Sequence, residues 1–208
     1  GSLSFCEILT TLYFCEMNVR PDMPQWTDRD RLVLSKGHAA PMLYRVLAER
    51  GYFAVEELST LRTLDSRLQG HPCALETPGV DASSGPLGIG LSAGLGMALG
   101  LKLDRSDARV YVVLGDGELD EGTIWEGCMS AAKFKADNLC AIVDWNGVQL
   151  DGPIEIIMPT GDLNEKFKAF GWNAIACDGH DIWQLSEAFH IAKTVKGRPS
   201  VILAHTVK

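Results

Sequence analysis

The sequence predicts an α/β fold, a three-layer arrangement with a mainly parallel sheet and helices on both faces. Three observations carry that prediction. From residue 87 onward, apolar strand-like runs alternate with helix-period segments. Such alternation implies right-handed βαβ units and hence parallel strands. The chain has 208 residues, 46% of them apolar and 22% charged, which suits one large domain with a real core. No internal repeat, low-complexity tract or linker divides it, so residues 1–208 read as a single domain.

The elements follow in order. Leu3–Met17 carries Phe5, Ile8, Leu9, Leu12 and Tyr13 at helical spacing, and it starts almost at residue 1 without a lead-in. Pro21–Arg31 is a polar loop with two prolines, followed by the short apolar piece Leu32-Val33-Leu34. Ser35-Lys36-Gly37-His38 opens a helix over Ala39–Arg50 that Gly51 closes, and Ala54–Leu64 reads as a second short helix. Asp65–Pro86 has little periodicity and much Gly, Pro and Ser, and a loop of that length in a compact domain is usually functional. The regular part comprises helix Leu87–Leu101, strand Arg109–Leu114, helix Gly122–Lys135 and strand Leu139–Val143. After a Gly/Pro loop around Asp151–Pro159 come helix Leu163–Phe170, strand Asn173–Cys177, helix Ile182–Val195 and strand Ser200–Ala204.

Composition excludes several function classes. A formal charge of −8 with no Lys/Arg cluster argues against nucleic-acid binding. No apolar stretch reaches membrane-spanning length and no signal peptide opens the chain, so a soluble cytoplasmic protein is expected. Six cysteines are scattered without a C-x-x-C pair, which favours reduced thiols over disulfides.

The informative run is RVYVVLGDGELDEG, residues 109–122, answered by Asn146 at the end of LCAIVDWN. An apolar strand delivers Asp116 between Gly115 and Gly117, and a second strand delivers the Asn146 amide at the same edge. In an open parallel sheet, ligands bind at the carboxyl edge. One acidic and one neutral oxygen ligand, with a backbone carbonyl just beyond, suit Mg2+ carrying a diphosphate, because Mg2+ keeps few protein ligands. The bland alternative is a structural turn. A calcium loop competes through Asp116, Glu118, Asp120 and Glu121, but the calcium-loop spacing is not met and a strand, not a helix, precedes the turn.

Gly88-x-Gly90-x-x-Ala93 matches a dinucleotide fingerprint, yet the strand that should precede it is missing, since residues 76–85 read ETPGVDASSG. Close helix packing, or free amides facing a phosphate, are the alternatives. His38 and His71 lie in glycine-flanked loops and are candidates for phosphate or substrate contacts. His71 and Cys73 lack a second ligand pair at zinc spacing. Asp181 reads as an N-cap after His180, and neither His190 nor His205 is assigned a role. No nucleophile elbow, H-E-x-x-H pair or Walker loop is present, so the chemistry belongs to a cofactor.

Five ordered motifs, LSKGHAAPMLY (34–44), GHP (70–72), GPLGIGLSAGLGMA (85–98), LGDGELDEGTIWE (114–126) and DNLCAIVDWN (137–146), resemble the diphosphate-binding domain of transketolase. The resemblance continues through FGWNAIACDGHD (170–181) and AHTVK (204–208), covering essentially the whole chain. It implies thiamine diphosphate and Mg2+ as cofactors, with Ca2+ or Mn2+ as substitutes. Asp116, Asn146 and the Val148 carbonyl match the metal ligands, and the Gly117 amide matches the phosphate contact. Lys36, Gly85, Pro86, Leu87, Glu118 and Lys208 match cofactor-side residues. His38 and His71 match histidines near cofactor and sugar hydroxyls, and Glu121 an acid that couples two sites across a dimer interface.

The implied reaction moves a two-carbon ketol unit between sugar phosphates, as in the pentose phosphate pathway. The family's pyrimidine-binding and C-terminal domains are absent from this sequence, and the activating glutamate belongs to the pyrimidine domain. The family also has a segment before Gly1 and a histidine beyond Lys208. The expectation is therefore a subunit that needs a partner chain, in a homodimer or heterotetramer, and is inactive or weakly active alone. A deoxyxylulose-phosphate synthase and a non-catalytic assembly protein of the same fold are the alternative readings.

Overall fold

In the computed structural model, which describes residues 1–208, five strands form one parallel sheet. They are β1 (Arg31–Leu34), β2 (Val110–Gly115), β3 (Leu139–Trp145), β6 (Asn173–Asp178) and β7 (Ser200–His205), in the spatial order β1-β2-β3-β7-β6. A separate antiparallel hairpin joins β4 (Val148–Gln149) to β5 (Gly152–Pro153). One face of the sheet carries α1 (Cys6–Thr11), which runs on as a π-helical turn over Leu12–Glu16, with α2 (Ala40–Arg50) and α7 (Ile182–Thr194). The other carries α3 (Gly90–Leu103), α4 (Gly122–Lys133) and α6 (Leu163–Ala169). A single helical turn, α5 (Ile154–Ile157), follows the hairpin. The three-layer arrangement expected from the sequence is what the chain adopts.

The pleat divides the core. Tyr111, Val113, Cys140 and Ile142 point into the α1/α2/α7 layer, while Val110, Val112, Leu139, Ala141 and Val143 point into the α3/α4/α6 layer. Strands buried on both faces must be apolar at every position, which is why these runs show no polar alternation. Each fully buried Leu or Ile contributes roughly 1.5–3 kcal/mol. No helix is long and apolar enough to cross a membrane. The six cysteines are free thiols.

The glycines of residues 88–94 serve close packing. A Cβ at Gly94 would stand 2.4 Å from Val112 Cγ2, and one at Gly90 2.3 Å from Ser35 Oγ. Gly88 has φ +87°, in the left-handed region, and no strand precedes it. The fingerprint-like spacing therefore seats α3 against β1 and β2.

Several boundaries differ from the sequence reading. α3 begins at Gly90, not Leu87, because the positive φ at Gly88 breaks the helix. The expected helix over 54–64 is a 3-10 segment, Val55–Thr60, with no buried residue to hold a longer helix. β3 extends through Asp144 and Trp145, and the β4–β5 hairpin replaces part of the Gly/Pro loop. Asp181 caps α7 as expected, its carboxylate accepting from the amides of Trp183 (2.9 Å) and Gln184 (3.3 Å).

Gly94→Ala should lower stability by about 1–3 kcal/mol through overpacking against Val112. Gly96, on the open side of the same helix, is the control, since an added methyl there would meet nothing within 4 Å. Gly96→Ala should raise stability by about 0.5–1 kcal/mol. Urea midpoints of the two variants moving in opposite directions would bear this out, and equal shifts would refute it.

Candidate cofactor-binding site

Right-handed crossovers fix where a cleft can form. The β2-to-β3 crossover runs through α4 on one face, and the β6-to-β7 crossover runs through α7 on the other. The loop leaving β1 enters α2 on the α7 face, opposite α4, so the outgoing loops of the neighbouring strands β1 and β2 part and leave a crevice at their carboxyl ends. A cleft of about 350 Å3 lies along this edge. It is lined by Gly1, Lys36, His38, Leu87, Gly115, Asp116, Gly117, Glu118, Asn146, Val148, Gln149, Leu150 and Lys208.

Asp116 leaves β2 and begins a 3-10 turn over Gly117–Asp120. Its Oδ1 accepts from the Gly117 amide at 2.9 Å and its Oδ2 from the Gly147 amide at 2.6 Å, so one buried carboxylate clamps the ends of two neighbouring strands. Asn146, adjacent to Gly147, turns Oδ1 to the Val148 amide (3.1 Å) and Nδ2 to Asp144 Oδ2 (3.3 Å). The Val148 carbonyl accepts from the Lys208 ammonium at 3.1 Å, so a cation already stands on that oxygen. The Gly117 side has no room for a Cβ, which would fall 2.8 Å from Gln149 Cβ.

These residues fit a Mg2+-bound diphosphate. The donors are hard oxygens from a carboxylate, an amide and a carbonyl, the set Mg2+ prefers. No group of three His, Cys, Asp or Glu gathers anywhere in the chain, so a soft-metal centre has no ligands. Burial pushes the Asp116 carboxyl above its ordinary value, and an adjacent divalent cation would offset that cost.

Beneath the cleft lies a buried ion pair. The Lys36 ammonium meets Asp144 Oδ2 with side-chain exposures of 2% and 0%. Asp144 also accepts from Ser4 Oγ at 2.6 Å and from Thr206 Oγ1, and Lys36 Nζ sits 4.5 Å from the Phe5 ring centroid. Although burial works against it, the Lys36 charge and these hydrogen bonds hold the Asp144 carboxyl below the usual carboxylate range. Glu118 is equally buried but its carboxylate is committed to the protein. Oε1 takes the Ser35 hydroxyl and the Gly88 amide (2.9 Å), and Oε2 takes the Gly115 amide (3.1 Å). Burial pushes its carboxyl up.

The remaining expected residues are distributed around this floor. His38 is exposed on the cleft rim, and partial desolvation of its ring together with the Lys36 charge pushes it below the usual imidazole value. His71, Gly85 and Pro86 stand outside the cleft lining, whereas Leu87 belongs to it. The Gly70–Pro72 turn is tied down by Tyr44 Oη, which donates to the His71 carbonyl (3.2 Å), and by the Ser84 amide on the Pro72 carbonyl (3.1 Å). Glu121 is exposed at the start of α4, with its Cβ 2.8 Å from where a Gly88 Cβ would stand. His205 stacks on Trp145 at 4.3 Å between ring centroids, and His180 bridges Glu7 and the Val207 amide.

Sequence reasoning passed over Asp144, Ser35, Thr206 and Gln149. A signal existed for two of the residues beneath the cleft. Lys36 and Asp144 each stand at the end of an apolar run, LVLSK and AIVD, where a lone charge must find a partner.

The family model described as "Transketolase, thiamine diphosphate binding domain" matches residues 1–208. The chain is 45% identical over 208 residues to the 6-deoxy-6-sulfo-D-fructose transketolase subunit of Clostridium sp. (strain MSTE9), spanning all of this chain and 76% of that protein. It is 40% identical to a subunit of the apulose-4-phosphate transketolase of Phocaeicola vulgatus, spanning 100% of this chain and 74% of that one. Transketolase from Leishmania mexicana superposes with a TM-score of 0.93 at 30% identity, over 99% of this chain and 32% of that one. Fold and site together thus define a thiamine diphosphate-binding domain. The chain belongs to the transketolase family.

Removing one member of the buried ion pair strands the other charge. Asp144→Ala should lower stability by about 3–5 kcal/mol. The double variant Lys36→Met, Asp144→Leu should lose less than the sum of the single changes. Denaturant titrations of the four proteins test this, and strict additivity would show that the pair is not coupled.

Proposed function

We propose that this chain is the diphosphate-binding subunit of a transketolase-type transferase. It moves a two-carbon ketol unit between sugar phosphates, with residues 1–208 acting as one diphosphate-binding domain. The observation that carries this reading is the turn that Asp116 clamps through the Gly117 and Gly147 amides, with Asn146 and Val148 lining the same cleft. Thiamine diphosphate, when bound, would supply a thiazolium carbon able to add to a ketose carbonyl.

The chain's own residues bind and orient. On this reading Asp116, Asn146 and the Val148 carbonyl would hold Mg2+ and the Gly117 amide would face a phosphate, while Lys36 stands under the cleft paired with Asp144. Lys208 and Leu87 line the cleft, and Gly85 and Pro86, directly before Leu87 in sequence, are assigned to the cofactor side. Glu118 acts indirectly, holding the ends of β1 and β2 to the Gly88 loop. His38 at the rim, held below the usual imidazole value, would accept or return a proton at a sugar hydroxyl, and His71 is assigned the same task. Glu121, exposed beside Gly88, is assigned to the coupling of this site with a neighbouring protomer.

Two relatives are named as transketolase subunits, which supports a partner chain carrying the pyrimidine-binding domain, in a homodimer or heterotetramer. The same names, a 6-deoxy-6-sulfo sugar and a sugar 4-phosphate, favour substrates that end in an anionic group.

Thiamine diphosphate with Mg2+ should raise the melting temperature of the chain, and EDTA should remove the effect. Asp116→Ala should abolish that rise, and NAD should give none. An undiminished rise in Asp116→Ala would sink the cofactor assignment. Ketol transfer should appear when the partner chain is added, so full activity of the isolated chain would overturn the subunit reading.

A further inference from the structure

One donor in the cleft is left unused by these roles. Gln149 lies on β4 directly after Val148, held by the pairs Val148↔Pro153 and Gln149↔Gly152. Its side chain packs on Gly117, with Cβ 2.8 Å and Oε1 3.7 Å from where a Gly117 Cβ would stand. Its Nε2 is buried and has no hydrogen-bond partner. The other buried side-chain atoms without a partner belong to Thr11, Ser84, Arg109 and Asn138, none of which lines the cleft.

A buried N–H without an acceptor carries its full desolvation cost, so in a native protein it marks a place where an acceptor is expected. The surroundings say which kind. The Lys208 ammonium and the backbone of Gly117 line the same cleft as Gln149, so an incoming group meets donor groups there. Such a set suits an oxyanion. We propose that Gln149 is a diphosphate-binding residue, its Nε2 donating to a phosphate oxygen held beside Gly117. The assignment rests on the thiamine diphosphate reading and adds a neutral donor to it, one that neither competes for Mg2+ nor adds charge.

The test uses calorimetry and thermal unfolding of the full chain, with three probes: Mg2+ plus thiamine diphosphate, Mg2+ plus inorganic diphosphate, and thiamine alone. Gln149→Leu should weaken both diphosphate probes about tenfold, equivalent to roughly 1.4 kcal/mol. Its unliganded melting temperature should stay level or rise, because an unmet buried donor has been removed. Gln149→Glu should abolish diphosphate binding at neutral pH by charge repulsion. Binding by Gln149→Leu within twofold of the unaltered chain would overturn the proposal. So would a loss confined to thiamine diphosphate that spares inorganic diphosphate, or a fall in unliganded stability with affinity unchanged. If the unaltered chain answers neither diphosphate probe, the cofactor reading itself fails, whereas binding that ignores position 149 removes only this residue's role.

Discussion

The contact between Lys36 and Asp144 is the constraint on which the site depends. Lys36 follows β1 and Asp144 lies near the end of β3, on either side of β2, so the pair ties three strand ends together. Ser4, just before α1, and Thr206, just after β7, donate to the same carboxylate. Two charges out of water are stable only when each satisfies the other and the remaining lone pairs are filled. Here the filling groups come from segments 140 and 62 residues away from Asp144 in sequence. The floor of the cleft therefore exists only when the whole sheet edge is assembled, and Asn146, bonded to Asp144, takes its orientation from that assembly.

Two carboxylates two residues apart show how environment separates roles. Asp116 spends one bond on its own turn and one on Gly147, which leaves its remaining lone pairs open toward the cleft. Glu118 spends its oxygens on Ser35, Gly88 and Gly115. The first can ligate a cation, and the second fixes the loop in front of α3. That loop in turn depends on the bare glycines that let α3 lie directly on β1 and β2.

The fold was legible because burial on both faces forces an unmistakable pattern. Runs such as Val110–Leu114 and Leu139–Val143 have no polar side to hide, and the helices between them leave only parallel pairing. The meeting of Asp116 and Asn146, the proposed metal ligands, was legible for a related reason, since both sit at strand ends that the sheet delivers to one edge. Long-range partnership was not legible. Lys36 and Asp144 are 108 residues apart, and nothing local to either names the other. Gln149 was missed because its strand is two residues long and owes its existence to a hairpin with Gly152 and Pro153. Glu118 shows the limit of motif matching, since its place in a recognisable run did not reveal that its oxygens face inward.

Lys208 on the Val148 carbonyl gives the site a resident occupant. On the proposed reading a divalent ion would take the same oxygen, so loading would be an exchange and not an addition to a vacant ring of dipoles. A lone ion would have to displace a tethered rival, whereas an ion arriving with a diphosphate would bring the displaced ammonium a new counter-charge. A single side chain acting as a placeholder would then favour the pair over its parts.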